Sequence, residues 1–151
     1  MSTPLYGGAI TAKLPAHLLD ASNARPVPDS QEVWVSDHNG VIIDLLECVN
    51  GDNNPMNTHI EEMERLGGSK LLTDSEKTTT VNEPLVQLAV IRTFPNVERQ
   101  FHLPSAVGLL RLKSPADVDV LITLTGVWDN PAMELESILQ SFHVKDQSLF
   151  V

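Results

Sequence analysis

Two acidic residues interrupt the most apolar run of the sequence. Asp44 and Glu47 lie within residues 41–49, where every other residue is aliphatic except Cys48. A carboxylate removed from water without a partner is strongly disfavoured. The two side chains are therefore expected either to pair within the protein or to meet a basic partner.

The residues themselves leave three interpretations of this pair open. The first is structural ion pairing, which the spacing alone favours, and the candidate cations are Arg65, Arg92 and Arg111. The second is an acidic contact surface, whose further members would be Asp29, Glu32 and Asp37. The third is a paired-carboxylate hydrolase site, for which the sequence offers no supporting motif.

Other reactive groups do not form a recognisable constellation. No glycine-rich phosphate loop, nucleophile-elbow serine or paired-cysteine zinc motif occurs. The five histidines fall in different segments: His17, His38, His59, His102 and His143. Cys48 is the only cysteine and lies among aliphatic residues, so we expect a buried thiol with a raised pKa. We predict neither a metal site nor a cofactor.

The net charge of −10 narrows the class of partner. An acidic surface repels nucleic-acid phosphates and anionic lipid but attracts basic proteins. No apolar run approaches the ~20 residues of a membrane span, and the first residues lack a basic region followed by an apolar core. We predict a monomer that binds neither nucleic acid nor membrane and works in the cytosol or the nucleus.

The pattern of apolar residues predicts the elements that hold these groups. Residues 31–36 and 41–49, separated by the turn cluster 37–40, predict a β-hairpin whose second strand is covered on both faces. Further strands are predicted at 85–93, 106–112 and 118–124, the last two as antiparallel neighbours. Helices are predicted from Met56 to Leu66, ended by Gly67 and Gly68, and from Pro131 to Phe142. We expect the apolar C-terminal residues to dock on the body of a single domain, 1–151.

Taken together, the segments resemble the Mog-type Ran-binding proteins, also called Ran guanine nucleotide release factors. The matching motifs are LYGGAI at 5–10, LDAS at 19–22, VPDSQEV at 27–33, IIDLLE at 42–47, GLLRL at 108–112 with DV at 119–120, and FHVKDQSLF at 142–150. They run in the family's order from near the first residue to the last. Residues from about 50 to 83 show little that can be aligned.

The resemblance implies a fold, a function and a set of contact residues. The fold is α+β, a three-layer α/β/α sandwich around a mainly antiparallel sheet of about six strands, which the PsbP photosystem proteins share. The function is binding of the small GTPase Ran and release of its guanine nucleotide in support of nuclear import, without catalysis. The acidic residues that match the family's Ran-binding surface are Asp44 and Glu47, with Asp29 and Glu32 as neighbours.

Two other classes of function remain. A small-ligand-binding or enzymatic α+β domain would need a deep apolar pocket beside the sheet, with His102 or His143 as a polar group. An adaptor for another basic protein would share the acidic surface but bind a different partner.

Overall fold

The computed structural model describes residues 2–48, 54–68, 70–71, 73–95, 104–114 and 116–150. The strands are β1 (Thr3–Leu5), β2 (Ile10–Ala12), β3 (Leu19–Asp20), β4 (Gln31–Val35), β5 (Asn39–Glu47), β6 (Ser75–Thr78), β7 (Val86–Thr93), β8 (Pro104–Leu112), β9 (Val118–Gly126) and β10 (His143–Val144). The helices are α1 (Pro55–Gly67) and α2 (Pro131–Ser141), and short 3-10 turns cover Tyr6–Gly8, Ala21–Asn23 and Gln147–Phe150.

Seven strands form one antiparallel sheet in the order β3-β4-β5-β9-β8-β7-β6. The predicted hairpin is β4 with β5, and the predicted neighbours are β8 with β9. Strand β5 lies between β4 and β9 and pairs with β9 along its whole length. The mainly antiparallel sheet of about six strands that the resemblance implies is confirmed, here with seven strands. The apolar pattern alone does not predict β3 or β6, because the first has two residues and the second is polar throughout.

Both faces of the sheet are covered by a helix, as the apolar pattern of residues 41–49 predicts. Because side chains alternate along a strand, Val41, Ile43 and Leu45 face α2. On the other face, Leu46 packs in a cluster with Met56 and Ile60 of α1. The result is a three-layer α/β/α sandwich, the fold class that the sequence indicates.

Local signals in the sequence fix the ends of both helices. The side chains of Asn54 and Asn130 accept the backbone N–H groups of Asn57 (3.1 Å) and Met133 (3.2 Å), and each N-cap is followed directly by a proline. Gly68 ends α1 in the left-handed conformation, φ 72°. No helix within the described ranges is long and apolar enough to cross a membrane.

The two ends of the chain meet in a small second sheet of order β1-β2-β10. Sequence patterning predicts one short extended segment over residues 5–10, but the chain reverses there because Tyr6 and Gly7 adopt φ values of 51° and 69°. After β10, Leu149 and Phe150 pack against the core on the α2 side. The C-terminal residues therefore dock as predicted, up to residue 150; Val151 lies outside the described residues.

Candidate partner-binding site

The four predicted contact residues lie at one end of the β4–β5 hairpin, which we call the acidic end. Gln31 pairs in register with Asp44, and the N–H of Leu45 donates to the carbonyl of Ser30 at 2.9 Å. Asp29 precedes Ser30, and Glu47 is the last residue of β5. The sheet thus brings together Asp29, Glu32, Asp44 and Glu47. Asp37 does not join them, because it lies in the turn at the opposite end of the hairpin.

Asp44 and Glu47 point to opposite faces of the sheet. Three residues separate them along an extended strand, so their side chains alternate to different sides. Asp44 pairs with Leu121, which belongs to the cluster under α1. Glu47 lies two residues after Leu45, so its side chain points to the same face of the sheet, the α2 side. A partner that meets both acids must therefore approach the end of the sheet rather than one face.

The Asp44 carboxylate is half-buried and accepts a hydrogen bond from Gln31 Nε2 at 2.9 Å. Burial raises the pKa of Asp44, and the amide donor of Gln31 opposes that rise. Glu47 and Asp29, in contrast, are exposed.

Glu32 is held by neighbouring donors on the α2 side of the hairpin. Its Oε2 accepts the backbone N–H of Tyr6 at 3.0 Å, and its Oε1 accepts Trp34 Nε1 at 3.1 Å. The Tyr6 hydroxyl donates toward the carbonyls of Ser30 (3.1 Å) and Ile43 (2.9 Å). Burial, with the nearby Glu32 and Asp44 carboxylates, raises the pKa of Tyr6, so the hydroxyl remains a donor at neutral pH.

An open cavity of about 330 Å³ lies beside Glu32. Its polar wall includes Asp20, Asp29, Gln31 and Glu32, and Leu149 contributes an apolar side. None of the described residues that line it is a lysine or an arginine. The cavity adds negative surface at the acidic end of the hairpin, which suits a cationic group better than an apolar ligand.

Comparison with known proteins identifies the family of the chain. Residues 3–126 match the model of the Mog1 family, described as Ran-interacting Mog1 protein. The nuclear import protein MOG1 of Saccharomyces cerevisiae is 30% identical over 182 aligned residues, which cover 97% of this chain and 83% of that protein. The chain belongs to the Mog1 family.

Two further comparisons agree with this assignment. The Saccharomyces cerevisiae Ran-binding protein Mog1p has a solved structure that superposes with a TM-score of 0.74 at 25% identity, covering 100% of this chain and 98% of that one. The Ran guanine nucleotide release factor of Homo sapiens is 51% identical over 47 residues, or 29% of this chain and 25% of that protein. The Mog1 fold is therefore shown over the chain.

The structure contradicts the interpretation of Asp44 and Glu47 as ion-paired residues. Each arginine considered for that role pairs with a different carboxylate: Arg65 with Glu62, Arg92 with Glu76, and Arg111 with Asp119. Within the described ranges, Asp44 is held by the neutral amide of Gln31 instead. Of the two other interpretations, the acidic contact surface is the one that agrees with membership of the Mog1 family.

The strongest charged cluster in the described structure surrounds Asp119, which belongs to the family motif at 119–120 but is not among the predicted site residues. Arg111 donates to both carboxylate oxygens, from Nε at 2.7 Å and Nη2 at 2.8 Å. His59 Nε2 lies 2.7 Å from Oδ2, and the Cys48 thiol lies 3.2 Å from Oδ1. Since an ionised carboxylate only accepts, these donors saturate it.

The Asp119 cluster joins four elements of the Mog1 fold. Asp119 lies on β9, Arg111 on β8 and His59 on α1, while Cys48 directly follows β5. The donors from Arg111, His59 and Cys48 hold the pKa of Asp119 well below its usual range despite its burial. The sequence did carry a signal for this site, because Asp119 interrupts an apolar strand just as Asp44 does.

Cys48 is half-exposed rather than fully buried, but its thiol is not activated. Burial and the hydrogen bond to Asp119 raise the pKa of Cys48 to about 11. A thiol in that state is a poor nucleophile at neutral pH. Within the described residues, no group of three or more His, Cys, Asp or Glu side chains is arranged to hold a metal ion.

His143, one of the two histidines considered for a ligand-binding or enzymatic site, makes a structural contact instead. His143 Nδ1 lies 2.8 Å from the buried carboxylate of Glu83, which also accepts the N–H of Val144 at 2.9 Å. His143 thus helps Glu83 to secure β10. His102 lies outside the described residues.

Proposed function

We propose that this chain is a single Ran-binding domain that promotes release of guanine nucleotide from Ran and supports nuclear protein import. It acts without catalysis of its own, as a monomer, in the nucleus and cytoplasm. The family description, Ran-interacting Mog1 protein, and the names of the yeast and human relatives support the partner and the pathway.

The observation that carries the proposal is the acidic end of the hairpin. Asp29, Glu32, Asp44 and Glu47 come together there, in a chain with a net charge of −10. The three arginines that could have neutralised Asp44 and Glu47 are bound to other carboxylates. The acidic end is therefore suited to basic side chains of a partner protein.

Release of the nucleotide then follows from a difference between the affinities of this protein for nucleotide-free and for loaded Ran. If the acidic end binds nucleotide-free Ran more tightly than loaded Ran, linkage requires that it weaken the affinity of Ran for nucleotide by the same factor. No covalent bond has to form or break. The charged contacts should act mainly on the association rate and should weaken as salt is added.

The test is the release of a fluorescent guanine nucleotide from Ran, measured with the wild type and with a variant carrying Asp44→Lys and Glu47→Lys. The matched control carries Asp37→Lys and Asp129→Lys, which make the same change in net charge at exposed positions. We expect the first variant to lose binding and release activity, and the control to retain them. Circular dichroism must show that both variants are folded.

The proposal fails if wild-type protein neither binds Ran nor changes the release rate. It also fails if both double variants lose activity equally, because the effect would then come from total charge rather than from the acidic end. Single reversals at Asp44 and Glu47 refine the result. The two side chains point to opposite faces of the sheet. If Ran contacts the end of the sheet, each single reversal should therefore weaken its binding.

A further inference from the structure

Gln31 and Asp44 form a cross-strand pair at the acidic end. They are directly opposite in the antiparallel register of β4 and β5, so their side chains lie on the same face of the sheet. The neighbour of Asp44 on its other side is Leu121 of β9, which cannot donate a hydrogen bond. Gln31 is thus the side-chain donor that the sheet places beside this carboxylate.

The chemistry of the pair fixes the orientation of both groups. A carboxylate is only an acceptor, so Gln31 must present its NH₂ group to Asp44 Oδ1, at 2.9 Å. The amide oxygen of Gln31 is then directed away from Oδ1. Within the described residues, Asp44 Oδ2 and Gln31 Oε1 have no further hydrogen-bond partner, so two acceptors from adjacent strands remain for an incoming donor.

The pair also affects the charge of Asp44. Burial raises the pKa of this half-buried carboxyl, and the donor from Gln31 lowers it. On the α1 face that Asp44 shares, the nearby charged groups are Asp119 and its partners Arg111 and His59, and both of those partners contact Asp119. On the other side, the Tyr6 hydroxyl is protonated at neutral pH, and Glu32 and Glu47 are acids. Gln31 is therefore the group that favours the ionised form.

We infer that Gln31 is a positioning residue for partner binding, which holds one oxygen of Asp44 and leaves the other for a cationic side chain of the partner. This inference rests on the proposed function, because it assigns Gln31 a role in the same acidic end. Gln31 acts through Asp44 and adds a neutral acceptor beside it. Its loss should therefore alter both the strength and the pH dependence of binding.

The experiment compares wild type with Gln31→Met, which keeps the length of the side chain but removes the donor. Gln31→Leu is the second variant. The matched control is Gln140→Met, because Gln140 also donates to a carboxylate, that of Glu136 at 3.3 Å, on the exposed side of α2. Two quantities are measured: the pKa of Asp44, by NMR titration of its carboxyl carbon, and the affinity for purified Ran over a pH series that extends from pH 8 to below the pKa found by that titration.

We expect Gln31→Met to raise the pKa of Asp44 and to weaken Ran binding roughly 2- to 10-fold at neutral pH, the range of one hydrogen bond. Because only ionised Asp44 attracts a cation, binding is lost as pH falls through its folded pKa. A higher pKa moves that loss to higher pH. The Gln140→Met control should match the wild type in both measurements.

The outcomes separate the inference from the proposed function. If the pKa of Asp44 is unchanged in both Gln31 variants, the inference is overturned whatever happens with Ran. If wild type binds Ran but the Gln31 variants bind with the same affinity and pH profile, the inference fails and the proposed function stands. If wild type does not bind Ran, both are overturned.

Discussion

Replacement of Asp119 by asparagine should be the most damaging single change of one charge in the described structure. The side chains of Asp119 and Arg111 are only 1% and 12% exposed. Asp119→Asn replaces an acceptor oxygen by an NH₂ group that faces the donors of Arg111 or His59. Breaking a buried ion pair on one side typically costs about 3–5 kcal/mol, because the remaining charge is left buried.

That loss is a large part of the roughly 5–15 kcal/mol by which a domain is usually stable. For a chain of this length it corresponds to a fall in Tm of about 6–20 °C. The assay is urea unfolding followed by circular dichroism, together with a thermal scan. The matched control is Asp146→Asn, since Asp146 is exposed and, among the described residues, its carboxylate accepts from neighbouring Ser148 alone. We expect little change in the control.

The pH dependence gives a second readout of the same cluster. The pKa of Asp119 is depressed in the folded protein, so its stabilising effect is complete above the unfolded pKa of about 4. It is lost as pH falls toward the folded value. Asp119→Asn should therefore flatten the dependence of stability on pH below about pH 4. Two results would contradict this account of the buried charge. One is a destabilisation by Asp119→Asn of less than about 1 kcal/mol, and the other is a dependence of stability on pH below about pH 4 that is the same in the variant as in the wild type.

Three further predictions concern other positions. Cys48, with its pKa raised to about 11, should react with a disulfide reagent at pH 8 at least about tenfold more slowly than free cysteine, a rate followed by absorbance. Gly126→Ala should destabilise the fold by more than about 2 kcal/mol in urea unfolding, since φ is 80° and a Cβ would clash with the carbonyl oxygen of His38. The control is Gly67→Ala, because among the described residues a Cβ at Gly67 would meet nothing within 4 Å beyond its chain neighbours and its own helix backbone. Asn130→Ala should cost about 1 kcal/mol by the same assay, through loss of the N-cap of α2.

Long and strongly patterned segments of the sequence predicted the fold well. The β4–β5 hairpin, the β8–β9 pair and both helices follow from periodicity, prolines and glycines that act locally. The small sheet did not follow, because strands of two or three residues, such as β10, are too short to show alternation. Its formation depends on the reversal at Tyr6 and on pairing between the two ends of the chain, neither of which a local pattern specifies.

The site was predicted less completely than the fold. Asp44, an acid within an apolar strand, does have a partner inside the protein, but that partner is Gln31, a neutral residue on the adjacent strand. Spacing along the chain suggested arginines as ion-pair partners of Asp44, whereas the register of the sheet decides which side chains are in contact. Asp119 also interrupts an apolar strand, and its partner is Arg111, which lies opposite it across β8 and β9.

The Asp119 cluster also implies an order of folding. Arg111 and Asp119 are only 8 residues apart in the chain, whereas His59 and Cys48 reach Asp119 across 60 and 71 residues. Closing a short loop loses less conformational entropy than closing a long one, so the hairpin can form its ion pair before α1 docks.

A change at Arg111 should then slow refolding, while a change at His59 should mainly speed unfolding. Stopped-flow chevrons of the two variants distinguish these effects. The Asp119 carboxylate, which stabilises the native structure, is thus also the group that α1 contacts when it docks late in folding.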